Sequence, residues 1–118
     1  MADANQLNEE ILKWLDILRK RPGMVVVKSD SYNLLVNYLE GYIDGISLLL
    51  NRNLRLEISK WYIRKNSLPV YNTYWTHFIP LVFEGNTENQ LKDILLDVTE
   101  DFFKENPVLR VNSARGNN

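Results

Sequence analysis

Four stretches of this chain repeat their apolar residues every three or four positions, the spacing that gathers side chains onto one face of an α-helix. Leu7, Ile11, Trp14, Leu15 and Leu18 do so between Asn5 and Lys20, with Glu9–Lys13 and Asp16–Lys20 as acid-first pairs on the wet side. Leu35, Leu39, Tyr42, Ile46 and Leu49 form a second row between Asp30 and Leu50, preceded by a capping serine at Ser29 or Ser31. Leu54, Ile58, Trp61 and Tyr62 form a third between Leu54 and Lys65. The last helix begins where Thr87 and Gln90 have capping-box spacing, buries Leu91, Ile94, Leu95, Val98 and Phe102, and ends near Glu105, before Pro107. A chain of 118 residues holds one core. The expected fold is therefore mainly α: a single compact domain of about five helices over residues 1–110, followed by a frayed polar tail at 111–118.

Three places qualify that reading. Arg21-Pro22-Gly23-Met24 separates the first two helices, and Pro with Gly makes it a corner that aims the second helix back at the first. Met24–Val27 is short and β-branched, an extended segment across the core or a lone short strand. Trp75–Phe83 is an apolar run interrupted by Pro80, which would kink a helix or push a strand to a sheet edge; it is read as a helix. Helix two also carries an adjacent row of Leu34, Tyr38, Gly41, Gly45 and Leu48. Its two glycines are read as a buried notch that lets a neighbouring backbone approach, so that Gly41→Leu would be costly; chance glycines on a tolerant face are the other reading. Trp14, Leu39, Tyr42, Ile46, Trp61, Leu95 and Phe102 are expected in the core.

The formal net charge of −1 conceals an uneven distribution. Arg52, Arg55, Lys60, Arg64 and Lys65 stand against Glu57 alone in 51–70, whereas seven acids face Lys92 and Lys104 in 84–105. On the last helix Asp93–Asp97 and Asp97–Asp101 are like-charged i,i+4 pairs, each destabilising by roughly 0.2–0.5 kcal/mol. Glu100, Asp101 and Glu105 also crowd a helix C-terminus, where the macrodipole favours cations. A face that accumulates both penalties suits a cationic partner; neutralisation by the basic third helix is the other explanation.

Little in the chain points to catalysis. There is no cysteine, and the single histidine, His77, lies in the apolar setting Trp75-Thr76-His77-Phe78-Ile79, where it is read as a hydrogen-bonded structural residue. No ligand spacing suggests zinc, and no glycine-rich loop opens a helix as a phosphate cradle would. No cofactor, metal or small-molecule substrate is expected, and an enzyme is not. The absence of a signal-peptide pattern and of an apolar run of about 20 residues makes a cytoplasmic, non-membrane protein the expectation. Trp61 and Tyr62 among the basic residues of 52–65 resemble a nucleic-acid platform, which supplies the alternative: a small nucleic-acid-binding regulator.

The order Arg21-Pro22-Gly23-Met24, Leu39-Glu40-Gly41-Tyr42, Trp61, a Trp75-led apolar segment, and Glu88 to the paired Phe102-Phe103 resembles a group of small bacterial proteins. These are immunity proteins of polymorphic toxin and contact-dependent growth inhibition systems. The resemblance spans about residues 10 to 105. It implies a cytoplasmic binder of a cognate toxin domain, in many cases a nuclease. On the charge argument, the partner-binding residues are expected to be Asp93, Asp97, Glu100 and Asp101, with Tyr71 and Tyr74 as exposed aromatic anchors.

Overall fold

The computed structural model describes residues 4–20 and 31–107. Five helices follow in chain order: α1 (Ala4–Lys20), α2 (Tyr32–Leu50), α3 (Leu54–Lys65), α4 (Trp75–Val82) and α5 (Glu88–Glu105). The mainly α architecture is the expected one, and among the described residues there is no strand. The Pro22-Gly23 corner, the 24–27 segment and the tail at 111–118 lie outside the described residues.

Local chemistry accounts for the boundaries. The Ser31 side chain accepts from the Leu34 N–H at the start of α2, and Glu88 Oε2 accepts from the Tyr32 N–H at 3.0 Å, so α5 helps cap α2. Asn51, left-handed at φ 54°, ends α2, and the Asn53 side chain caps α3 by accepting from the Leu56 N–H. Thr87 and Gln90 form the reciprocal capping box of α5, with both hydrogen bonds present.

α5 is the central element, packing against α1, α2, α3 and α4. The core it shares with them includes Ile11, Leu15, Leu39, Ile43, Leu54, Ile58, Trp75, Phe78, Leu95 and Phe103, all fully buried. Trp75–Phe83 resolves as helix to Val82, with Phe83 as its C-terminal cap and Pro80 inside it. Proline has no N–H to give the carbonyl four residues back, that of Thr76. The buried Tyr32 hydroxyl donates to that carbonyl instead, at 2.8 Å. A side chain from α2 thus replaces the helix bond that Pro80 removes.

The core differs from expectation in one coherent way. Leu39, Ile46, Leu95 and Phe102 are buried, but Trp14, Tyr42 and Trp61 are only half-buried. Trp14 and Tyr42 stack on each other at 3.6 Å between α1 and α2, at the margin of the core. Trp61 packs edge-on to Phe102, and its indole N–H donates to Glu105. α2 is rotated so that Leu35, Val36, Leu39, Ile43, Ile46 and Leu50 face inward. Leu49, expected inside, is 77 % exposed, and the adjacent row of Leu34, Tyr38 and Leu48 also faces out.

The glycine notch is overturned by the same rotation. A Cβ added to Gly41 or Gly45 would meet nothing within 4 Å. Among the described residues no neighbouring backbone approaches them, and what they bring to the helix is the propensity penalty of about 1 kcal/mol each relative to Ala. Gly41→Ala should therefore raise stability by about 0.5–1 kcal/mol in a urea titration at low protein concentration. A loss of stability would restore the notch.

Candidate partner-binding face

The stripe on α5 is built from positions four apart. Asp93, Asp97 and Asp101 are exposed, whereas Glu100 is half-buried beside them. On the opposite side of the helix Leu95, Leu96, Val98, Thr99, Phe102 and Phe103 are buried, which fixes the stripe outward. A helix held by four others presents these carboxylates on a rigid element.

Part of the charge is answered within the fold, though not chiefly by the basic third helix. Arg19 of α1 donates to Asp97 Oδ1 at 2.6 Å, and its other nitrogen lies 3.1 Å from Glu100. Lys104 adds an i,i+4 pair to Glu100 at 3.3 Å. α3 contributes Lys65, which bonds Glu105 next to the Trp61 indole. The Lys65 hydrogen bond, followed by that from Trp61, holds the Glu105 carboxyl below its ordinary range. Asp93 and Asp101 have no ion-pair partner among the described residues. The charge of Asp101 does reach Tyr62, whose phenol is pushed up first by burial and then by that carboxylate.

Tyr71 and Tyr74 are not free anchors; both are half-buried and packed against the core. Tyr71 stacks on Phe78 at 4.8 Å, and the Arg55 guanidinium sits 5.7 Å from the Tyr74 ring centre. No described hydrogen bond, ion pair or ring contact joins either tyrosine to the four acidic residues. The expected site thus separates into an acidic stripe on α5 and two aromatics that belong to the packing of α3 and α4.

The basic stretch of α3 is largely engaged. Arg52 bonds Glu57, with its Nε 3.0 Å from Oε2, and Arg55 clasps Asp44 through two bonds of 2.8 and 2.6 Å. The bond to Asp44, more than the neighbouring Glu40, raises the Arg55 pKa further. With Lys65 on Glu105, three of the five cations are paired within the fold. Trp61 and Tyr62 are half-buried against the core and do not form an open stacking surface.

A polar cluster that the sequence reading did not identify centres on Glu40. Its Oε2 accepts from the buried Thr76 hydroxyl at 2.5 Å, Arg55 lies 3.6 Å from Oε1, and His77 Nε2 lies 3.5 Å from Oε2. His77 is thus exposed and beside a carboxylate, not in an apolar setting. Thr76 is fully buried and its hydroxyl is committed to Glu40, so the group ties α2, α3 and α4 together and does not present a nucleophile. The signal available in the sequence was a single glutamate between Val36 and Ile43 on one helix row. Among the described residues no three acidic or histidine side chains converge as metal ligands would, and no helix is long and apolar enough to cross a membrane.

No protein-family model, curated protein or solved structure matches this chain.

Proposed function

We propose that this protein is an immunity protein that acts in the cytoplasm by binding a cognate bacterial toxin domain, a nuclease by the charge pattern, and occluding its active site or substrate surface. The observation that carries the reading is the outward stripe of α5, on which Asp93 and Asp101 are exposed without an ion-pair partner among the described residues. A nuclease must present cations to phosphates, and carboxylates held on a rigid helix compete for those cations. The resemblance of the chain over about residues 10 to 105 supports the same class. Asp97 and Glu100 extend the stripe but are partly offset by Arg19. The competing nucleic-acid reading is left with Lys60 and Arg64 as exposed cations of α3 for which no ion pair is described.

The test is Asp93→Asn with Asp101→Asn, which leaves the Arg19 pairs intact. The partner is the C-terminal domain of the large secreted protein expected from the gene immediately upstream, and co-purification with it is the first requirement. The double variant should fold at least as stably as the parent, since like-charge repulsion is relieved. Its association should slow several-fold at low salt, with the difference fading as salt rises. Unchanged association and unchanged protection of cells would place the interface elsewhere.

A further inference from the structure

We infer that the corner between α2 and α3 is a binding site for a carboxylate attached to an apolar group. An open cavity of about 580 Å³ lies there, lined by Asp44, Ser47, Leu48, Asn51, Arg52 and Asn53. That is the size of a small-molecule site. Arg52 supplies the observation that points to a ligand. Its Nε and Nη2 are taken by Glu57, but Nη1 is buried without a hydrogen-bond partner among the described residues. A guanidinium nitrogen so placed has lost water and gained no acceptor in return.

The hydrogen bonds around the cavity choose the ligand, because the acceptors there are consumed inside the fold. Arg52 and Asn51 give their backbone N–H groups to the Ser47 and Leu48 carbonyls, at 3.0 and 3.3 Å. The Leu54 N–H donates to Ser47 Oγ at 3.1 Å, and the Leu56 N–H donates to Asn53 Oδ1 at 3.2 Å. Both Asp44 oxygens accept from Arg55, which also offsets their charge. The donors are left over. Besides Arg52 Nη1, the side-chain amides of Asn51 and Asn53 and the hydroxyl hydrogen of Ser47 have no described acceptor. Donors without acceptors suit a group that only accepts, and a carboxylate does so with two oxygens. Phosphate fits less well, since it brings a second charge beside Asp44 and a guanidinium already shared with Glu57. Leu48, 85 % exposed, offers the apolar part of the ligand a surface. Nη1 is screened from water, so binding requires a shift of lining side chains, of which Leu48 and Asn51 are exposed. The site uses no residue of α5 and does not depend on the toxin-binding reading.

Titration of the isotope-labelled full chain with N-acetyl-leucine, followed by NMR, tests the inference. Saturable shifts are expected at the Arg52 guanidinium and at the Asn51 and Asn53 side-chain amides, with a dissociation constant on the order of 1–10 mM. N-acetyl-leucinamide, which lacks the carboxylate, should bind at least about tenfold more weakly. Arg52→Lys keeps a positive charge but loses the guanidinium fork, and should raise the dissociation constant at least about fivefold. Asn51→Gly removes one amide and still permits the left-handed turn at φ 54°, so it should weaken binding about threefold with an unchanged circular dichroism spectrum. A tetrapeptide ending in a free leucine carboxylate separates the sources. Tighter binding than N-acetyl-leucine assigns the site to a chain end, equal or weaker binding assigns it to a free small carboxylate, and both support the site. No saturable shift up to about 50 mM N-acetyl-leucine leaves Nη1 to water and overturns the inference. Equal binding of the carboxamide, or tighter binding of inorganic phosphate, overturns the carboxylate assignment.

Discussion

Trp75→Ala is expected to remove about 3–5 kcal/mol of stability, a large share of the 5–15 kcal/mol typical of a small domain. Trp75 opens α4, its side chain is fully buried, and it is among the largest such side chains in the structure. Its indole N–H donates to Thr99 Oγ1 of α5 at 3.0 Å, and its backbone N–H donates to Ser59 Oγ of α3 at 2.9 Å. Truncation keeps the backbone bond but leaves an indole-sized void where α4 meets α5. Trp75→Phe should lose less, because it keeps much of the volume and sacrifices mainly the bond to Thr99. Urea denaturation followed by circular dichroism would show the midpoint falling with the slope unchanged. A loss under about 1 kcal/mol would mean that α4 collapses into the void or contributes little to the core.

The elements of this fold were legible where one signal acted alone. α3 spans Leu54–Lys65, as its periodicity indicates, and the capping box at Thr87 starts α5. What periodicity could not decide was the rotation of α2. That helix is apolar around most of its circumference, and the face that packs against α3 and α5 keeps Leu35, Leu39 and Ile46 of the expected row but continues to Val36, Ile43 and Leu50, which lie on its other flank. The consequence was that Leu48, Leu49 and both glycines were assigned to the wrong side. Trp14, Tyr42 and Trp61 were overstated for a related reason. Large aromatics with a polar or flat surface can close the margin of a core as well as fill its centre.

The site was legible as charge and illegible as pairing. Like charges at 93, 97 and 101 can be counted on a helix, but Arg19 lies 78 residues from Asp97 in sequence, and only the α1–α5 contact brings them together. Glu40 shows the same limit. Nothing beside it in the sequence indicates its partners, because Thr76, His77 and Arg55 arrive from two other helices.

The bond from Tyr32 to the Thr76 carbonyl yields the second large effect, and one that can be isolated. Tyr32→Phe keeps the ring but strips a buried carbonyl of the partner that substitutes for the missing N–H of residue 80. Leaving a buried acceptor unsatisfied costs about 1–3 kcal/mol. Pro80→Ala restores an N–H that can reach the same carbonyl, so Tyr32→Phe should cost distinctly less in that background. A double-mutant cycle should therefore show coupling of roughly 0.5–3 kcal/mol. Additive losses would mean that the tyrosine hydroxyl does not replace the helix bond. The phenol supplies an independent reading by pH. Burial, and secondarily the charge of Glu40, push its pKa up in the folded chain. A raised folded value stabilises below the unfolded pKa and loses that contribution as pH rises above about 10, where the unfolded phenol ionises first. The parent should thus lose stability in alkali more steeply than Tyr32→Phe, and equal slopes would show that this phenol is free to ionise in the fold.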